Sequence, residues 1–166
     1  MTTVLAPMNG VSALISPTRS NARSEPADRL VEMQEQIREQ MLKSYSIRSR
    51  VDQARADIEA VQQEASFDGW DGYGGKALDA EACVITASFL EALPTTIPIP
   101  EISADNDGEV ALDWIFAPRR ALTISIDGRG RCSYAWMLGQ ITSRGTDWIT
   151  DGIPANIAYA LAQLTS

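Results

Sequence analysis

The stretch FDGWDGYGGK, residues 67–76, joins a long charged segment to a region with the composition of a folded core. Its four glycines alternate with Trp70, Tyr73 and two aspartates, so a freely turning backbone lies beside large aromatic rings. This combination predicts a loop of specific, fixed shape rather than a linker. Around it we divide the chain into a flexible N-terminal tail (1–26), a long helical segment (27–66) and an acidic domain (67–166).

Upstream of the loop, residues 27–66 contain neither proline nor glycine and carry apolar side chains in a seven-residue repeat. Nine of the eleven repeat positions are apolar, and the exceptions are Gln40 and Ser44. Such a stripe favours left-handed coiling of a long helix around a partner. We therefore predict a homodimer through this segment, with contacts from Leu30, Met33, Ile37, Ile47, Val51, Ile58 and Val61.

Two alternatives remain open for this segment. The weak helix-forming run 44–46 next to Gln40 could break the helix, which would give an antiparallel hairpin inside one chain instead of a dimer. A locally basic stretch is most simply a solvated helix face, but it leaves nucleic-acid binding through phosphate contacts as an alternative function. Its residues are Lys43, Arg48, Arg50 and Arg55.

Downstream of the loop, helical spacing gives way to alternation. Asp79 is a typical N-cap for a helix that Pro94 ends. Alternating segments separated by tight turns then predict an antiparallel meander, and a last amphipathic helix follows Pro154. The predicted fold class is α+β: a long N-terminal helix, a second helix, a meander of three to five strands and a C-terminal helix. We expect the two shorter helices to cover one face of the sheet.

Charge and composition limit the function. The net charge is −8, and residues 67–166, with six basic and thirteen acidic residues, contribute −7. A domain of this sign repels nucleic-acid phosphates and suits a basic protein surface. The chain has no histidine, which excludes histidine-dependent nucleophilic and acid–base catalysis as well as histidine-containing zinc sites.

Cellular location is predicted from what the sequence does and does not contain. Cys83 and Cys132 are expected to be buried free thiols, and two cysteines are too few for a four-thiolate zinc site. No apolar run reaches the ~20 residues of a membrane helix, and no export signal is recognisable. We therefore expect a cytoplasmic protein.

The glycine-rich loop does not match known phosphate or calcium motifs. The position that needs the first glycine of a Walker A motif holds Trp70, and Ala77 follows Lys76. A dinucleotide fingerprint would need a strand before the loop, and an EF-hand would need alternating acidic ligands. We predict no catalytic residue, no metal and no cofactor. A hydrolase or nucleotide-binding enzyme that uses Asp68, Asp71 and Lys76 is the alternative.

Two interpretations apply to the aromatic residues of the loop. Trp70 and Tyr73 could dock the loop onto the domain core, or they could form an exposed aromatic platform for a partner. The carboxylates near Asp107 favour tight turns by hydrogen bonding to the backbone, and they also add negative charge. The candidate partner-binding residues are Trp70, Asp71, Tyr73, Asp105, Asp107 and Glu109.

The motif WDGYG at 70–74, the helix end at Leu93–Pro94 and the segment DGEVALDW at 107–114 together resemble a known pattern. They are similar to a group of small uncharacterised bacterial proteins that share a WDGYG motif followed by a DG…LxW strand. The resemblance covers roughly residues 67–138. It implies no particular activity, but it suggests mobile elements, defence or counter-defence.

The predicted function follows from these observations taken together. We expect a non-enzymatic homodimer that binds another protein and regulates or inhibits it, as an anti-CRISPR protein or an antitoxin does.

Overall fold

The structure, a computed structural model, describes residues 25–165, with side chains from Arg29 onward. Two units divide the chain between Gln40 and Met41. The predicted tail lies outside the described residues up to residue 24. Glu25 and Pro26 belong instead to the first helix, where a proline in the first turn loses no hydrogen bond.

Helix α1 spans Glu25–Glu64 without interruption. Through the run at 44–46 the helix is retained, and the hydroxyl of Ser46 donates to the carbonyl of Lys43 at 2.9 Å. The alternative of a hairpin that bends at this run is therefore wrong. Serine side chains that bond back to their own helix satisfy themselves without breaking it.

The remaining elements form a two-layer domain. The strands pair antiparallel in sequence order, β1-β2-β3-β4-β5. This confirms the predicted α+β fold, with the meander at five strands. The elements are α2 Ala80–Ala92, β1 Glu101–Ala104, β2 Val110–Ala117, β3 Arg120–Ile126, β4 Arg131–Leu138, β5 Ile141–Trp148 and α3 Ala155–Thr165.

One face of the sheet forms the core with α2 and α3. Leu112 lies opposite Ile124, which lies opposite Tyr134, so alternate residues of the three central strands share this face. Helix α2 packs on β2 and β3, and α3 packs on β3 and β4. The prediction that both helices cover one face is confirmed. The largest fully buried side chains are Phe89, Leu112, Leu122, Ile124, Ile126, Ile157 and Leu164.

Helix α2 is positioned as its sequence predicts. Asp79 is the N-cap, and its carboxylate accepts a hydrogen bond from the backbone N–H of Glu81 at 2.9 Å. Capping aspartates of this kind are worth about 1 kcal/mol. The helix ends at Ala92, with Leu93 as C-cap before Pro94.

The C-terminal part of α1 belongs to the core of this domain. Ile58 is only 5% exposed and lies in the buried cluster, and Val61 packs against that cluster. Val51 is half-buried and lines a small cleft with Ala87 and Leu90 of α2. The second compact unit therefore begins at Met41 rather than at residue 67.

Polar contacts fasten the same stretch of α1 to the domain. A guanidinium nitrogen of Arg50 donates to the carbonyl of Thr95 at 2.8 Å. Arg55 forms an ion pair with Glu91 of α2, in which its Nε donates at 3.0 Å. Of the residues predicted for dimerisation, Val51, Ile58 and Val61 therefore pack within the chain's own fold. Leu30, Met33, Ile37 and Ile47 remain exposed, although Ile47 also borders the cleft that Val51 lines.

None of the helices within residues 25–165 has the length and apolar character needed to cross a membrane.

Candidate partner-binding surface

The glycine-rich loop closes on itself through backbone hydrogen bonds. The N–H of Gly69 donates to the carbonyl of Gly75 at 2.6 Å. One carboxylate oxygen of Asp71 accepts from the N–H groups of Tyr73 and Gly75, each at 2.9 Å. Asp68 accepts from the N–H of Ala77 at 2.8 Å. The two aspartates therefore stabilise the shape of the loop.

These amide donors also set the acidity of Asp71. The N–H of Gly75 and then that of Tyr73 stabilise the charged carboxylate, so the pKa of Asp71 lies below its ordinary value. A group with a lowered pKa stabilises the folded state above its unfolded pKa of about 3.9, and this contribution is lost as the pH falls through the folded pKa.

Asp71→Asn is therefore expected to reduce stability at pH 7 but to have little effect in acid. Asparagine keeps an acceptor oxygen and removes only the charge. Urea unfolding of both proteins at pH 7 and near pH 2–3 measures the difference, which should shrink as Asp71 of the wild type becomes protonated. A difference that stays constant across this range would show that the charge of Asp71 contributes nothing.

The two aromatic residues of the loop have different positions. Trp70 is half-buried against the core, and its indole N–H donates to the carbonyl of Lys76 at 3.0 Å. With Val61 of α1 and Ile102 of β1 it lines a shallow cleft. Tyr73 is 95% exposed. Trp70 therefore docks the loop onto the domain core, which is the first of the two interpretations above. Tyr73 does not dock, and its ring is accessible to a partner.

The loop lies directly against the turn between β1 and β2. The N–H of Lys76 donates to the carbonyl of Asn106 at 2.9 Å, and the N–H of Asp79 donates to the carbonyl of Gly108 at 3.0 Å. The ammonium of Lys76 lies 3.6 Å from the carboxylate of Asp107. Sequence-distant carboxylates of the loop and the turn are thereby brought to one end of the sheet.

The turn between β3 and β4 adds a third segment, which contributes one carboxylate, that of Asp127. Asp127 accepts from the N–H groups of Arg129 and Arg131, each at 2.9 Å. The guanidinium of Arg131 bonds to Asp127 at 3.1 Å and to Glu109 at 3.2 Å. Arg131 therefore bridges the two turns.

The same network shifts two pKa values in opposite directions. Burial raises the pKa of Glu109, although Arg131 opposes the shift. Burial also acts to raise the pKa of Asp127, but the amides of Arg129 and Arg131 and the guanidinium of Arg131 outweigh it and leave the value lowered.

We call this surface the acidic end: residues 67–76, 105–109 and 127–130. Among the predicted partner-binding residues, Tyr73 and Asp107 point to solvent, Asp71 and Asp105 are partly buried, and Trp70 and Glu109 contribute to the fold. Sequence reasoning missed Asp127 and Arg131, although the DGRGR run at 127–131 already marked a turn with both charges. The carboxylates of the acidic end are Asp68, Asp71, Asp105, Asp107, Glu109 and Asp127.

The residues of the enzyme alternative are already engaged. Asp68 and Asp71 accept backbone amides, and Lys76 pairs with Asp107. Across residues 25–165, no group of three or more acidic or cysteine side chains is placed to hold a metal ion. Cys83 and Cys132 are free and buried, and burial raises the pKa of both thiols.

The basic stretch of α1 contains residues that bond to the domain and residues that do not. Arg50 and Arg55 bond to the domain, although Arg55 is still exposed, as are Lys43 and Arg48.

Compared with protein-family models, with curated proteins and with solved structures, the chain matches none of them.

Proposed function

We propose that this protein is a non-enzymatic homodimer, formed through the exposed part of the α1 stripe, whose acidic end binds a basic surface of another protein. One observation supports the proposal of a dimer. Four apolar residues at heptad spacing are exposed: Leu30 by 60%, Met33 by 56%, Ile37 by 47% and Ile47 by 45%. A stripe of this kind on a helix is typical of one that packs against a second helix.

The expected affinity follows from the size of this stripe. Burying the remaining exposed part of each of these side chains is worth roughly 1 kcal/mol, and two chains contribute eight of them. This gain is comparable with the cost of association, about 4–15 kcal/mol, so we expect a dimer that dissociates on dilution. The polar residues Gln40 and Ser44 in the middle of the stripe fix the register at some cost in affinity.

Ile37→Lys is expected to abolish association through α1, because it places a charge in the apolar contact. Leu42→Lys is the matched control. Leu42 is 61% exposed on the same helix but lies off the stripe, so this variant should associate as the wild type does. Light scattering on the full chain measures both masses over a dilution series. A wild-type monomer, or equal losses in the two variants, contradicts the dimer.

The partner surface rests on the acidic end. Tyr73 supplies an exposed aromatic ring, an anchor type that is frequent in protein interfaces. Asp107 and its acidic neighbours supply negative charge that attracts a basic protein and speeds its association. Under this proposal the protein regulates or inhibits its partner in the cytoplasm, where Cys83 and Cys132 would stay reduced. Defence or counter-defence is the setting that the resemblance implies.

The partner test uses two pairs of substitutions. Tyr73→Ala with Asp107→Lys changes the acidic end, whereas Tyr159→Ala with Glu101→Lys makes the same chemical changes at exposed residues elsewhere. Proteins captured from the native host are compared by mass spectrometry. We expect a basic protein that the wild type and the control retain and the first variant loses by at least tenfold. Equal capture by all three would contradict the acidic end as the binding surface.

A further inference from the structure

The two edge strands of the sheet differ in how well they are protected. Strand β1 has four residues and follows Pro98 and Pro100, and short strands and prolines are devices that keep edges unpaired. Strand β5 has eight residues and pairs with β4 in an unbroken register from Trp148 to Ile141. It has no proline and no bulge, and all its residues are exposed or half-buried. It therefore has the form of a strand that accepts another strand.

The direction of the β5 backbone groups can be assigned. The N–H of Ile149 donates to the carbonyl of Gly130 at 2.8 Å, so this residue faces the β4 side. Because directions alternate along a strand, the odd-numbered residues of β5 bond to β4 and the even-numbered ones face outward. The N–H and C=O groups of Thr142, Arg144 and Thr146 then line the open edge. Within residues 25–165, no hydrogen bond from another element reaches them.

We propose that β5 pairs antiparallel with β5 of a second copy of this chain, with Gly145 opposite Gly145 at the twofold axis. This register places Arg144 opposite Thr146 of the second copy, so four hydrogen bonds form from groups that are otherwise unpaired. It keeps outward-facing residues opposite outward-facing residues. The two sheets then join into one.

The side chains of β5 are self-complementary in this register. Ser143 faces Asp147 of the second copy, and its hydroxyl can donate to that carboxylate, which within its own chain already accepts from Asn156 and from the N–H of Trp148. Thr142 faces Trp148, and Ile141 faces Ile149, so the exposed apolar residues Ile141 and Trp148 gain partners.

Neighbouring registers are poorer. A register centred on Arg144 would place the two guanidinium groups directly opposite each other, which is destabilising. A register centred on Thr146 would place the hydroxyl of Ser143 against the apolar side chain of Ile149. These side-chain contacts therefore favour the register centred on Gly145, and this self-complementarity points to a second copy as the occupant.

This pairing does not rest on the α1 dimer, and the two can be separated. With both contacts present, wild-type protein forms assemblies larger than a dimer at high concentration. Ile37→Lys then leaves a dimer held by β5 alone. If α1 does not dimerise, Ile37→Lys has no effect and the β5 dimer is present in both proteins.

The test changes the sign of charge at position 146 in the Ile37→Lys background. Thr146→Lys places an ammonium opposite Arg144 twice per dimer, and we expect the dissociation constant to rise at least tenfold. Thr146→Glu places a carboxylate there instead, so the dissociation constant should fall or stay unchanged. Combining Thr146→Lys with Arg144→Glu should restore the dimer. Sedimentation velocity gives the constants, and circular dichroism confirms that each variant is folded.

Two outcomes overturn the proposal. One is a chain that stays monomeric in this background up to about 1 mM, the weak limit of specific association, which would leave the edge open to an extended segment of some other protein. The other is a dimer whose affinity is the same with lysine and with glutamate at position 146.

Discussion

Gly108→Ala is expected to lower the free energy of unfolding by about 3 kcal/mol or more. Gly108 has a φ of +84°, a conformation that costs an L-residue about 1–2 kcal/mol. A Cβ there would also lie 2.7 Å from the carbonyl oxygen of Ala77, so the β1–β2 turn would have to move away from the loop. That movement strains the hydrogen bonds that Lys76 and Asp79 make to the turn, each worth about 1 kcal/mol.

Gly139→Ala provides the control for this prediction. Gly139 also has a positive φ, +61°, but a Cβ there would meet nothing within 4 Å. We expect a loss of only about 1–2 kcal/mol, the conformational part alone. Urea unfolding of both variants measures the two losses. If they are equal, the close approach of turn and loop does not contribute to stability.

Ile58→Ala is expected to lower the free energy of unfolding by about 2–5 kcal/mol, because it leaves a cavity in the core. The loss should not depend on protein concentration, since Ile58 is buried within its own chain. Leu30→Ala should affect association rather than the stability of the single chain. It should leave the stability of the monomer within about 0.5 kcal/mol of the wild type and weaken the dimer.

The comparison is direct because Leu30 and Ile58 occupy equivalent positions of the same repeat. Chemical unfolding at two protein concentrations separates the two effects. We expect the stripe to have two parts: Ile58 packs within its own chain, and Leu30 packs against a second chain. This is refuted if Ile58→Ala weakens association without destabilising the monomer, or if Leu30→Ala destabilises a chain that never dimerises.

This division explains which parts of the fold the sequence could predict. The strands and turns of the meander follow from alternation and from Asp-Gly turns, which are local signals. The heptad stripe shows that one face of α1 is covered, but not what covers it. Contacts that decide this, Arg55 with Glu91 and Arg50 with Thr95, join residues 36 and 45 positions apart. No periodicity within the helix contains that information.

The candidate site was predictable to a similar degree. The clustering of Asp and Gly at 67–76 and at 105–108 indicated two shaped turns, and both are present. That Trp70 points inward while Tyr73 points outward depends on the positions of α1 and β1, which residue types alone do not give. The contribution of Arg131 depends on strand register, because it reaches Glu109 across β3.

The construction of the acidic end from three separate segments makes it a discontinuous epitope. Residues 67–76, 105–109 and 127–130 come together only when the sheet is folded, through bonds such as that from Lys76 to Asn106. A synthetic peptide of the loop would carry the WDGYG motif without the surface to which it belongs. A partner that binds the acidic end would therefore distinguish the native chain from its unfolded or proteolysed forms, and its affinity would report on the integrity of the fold.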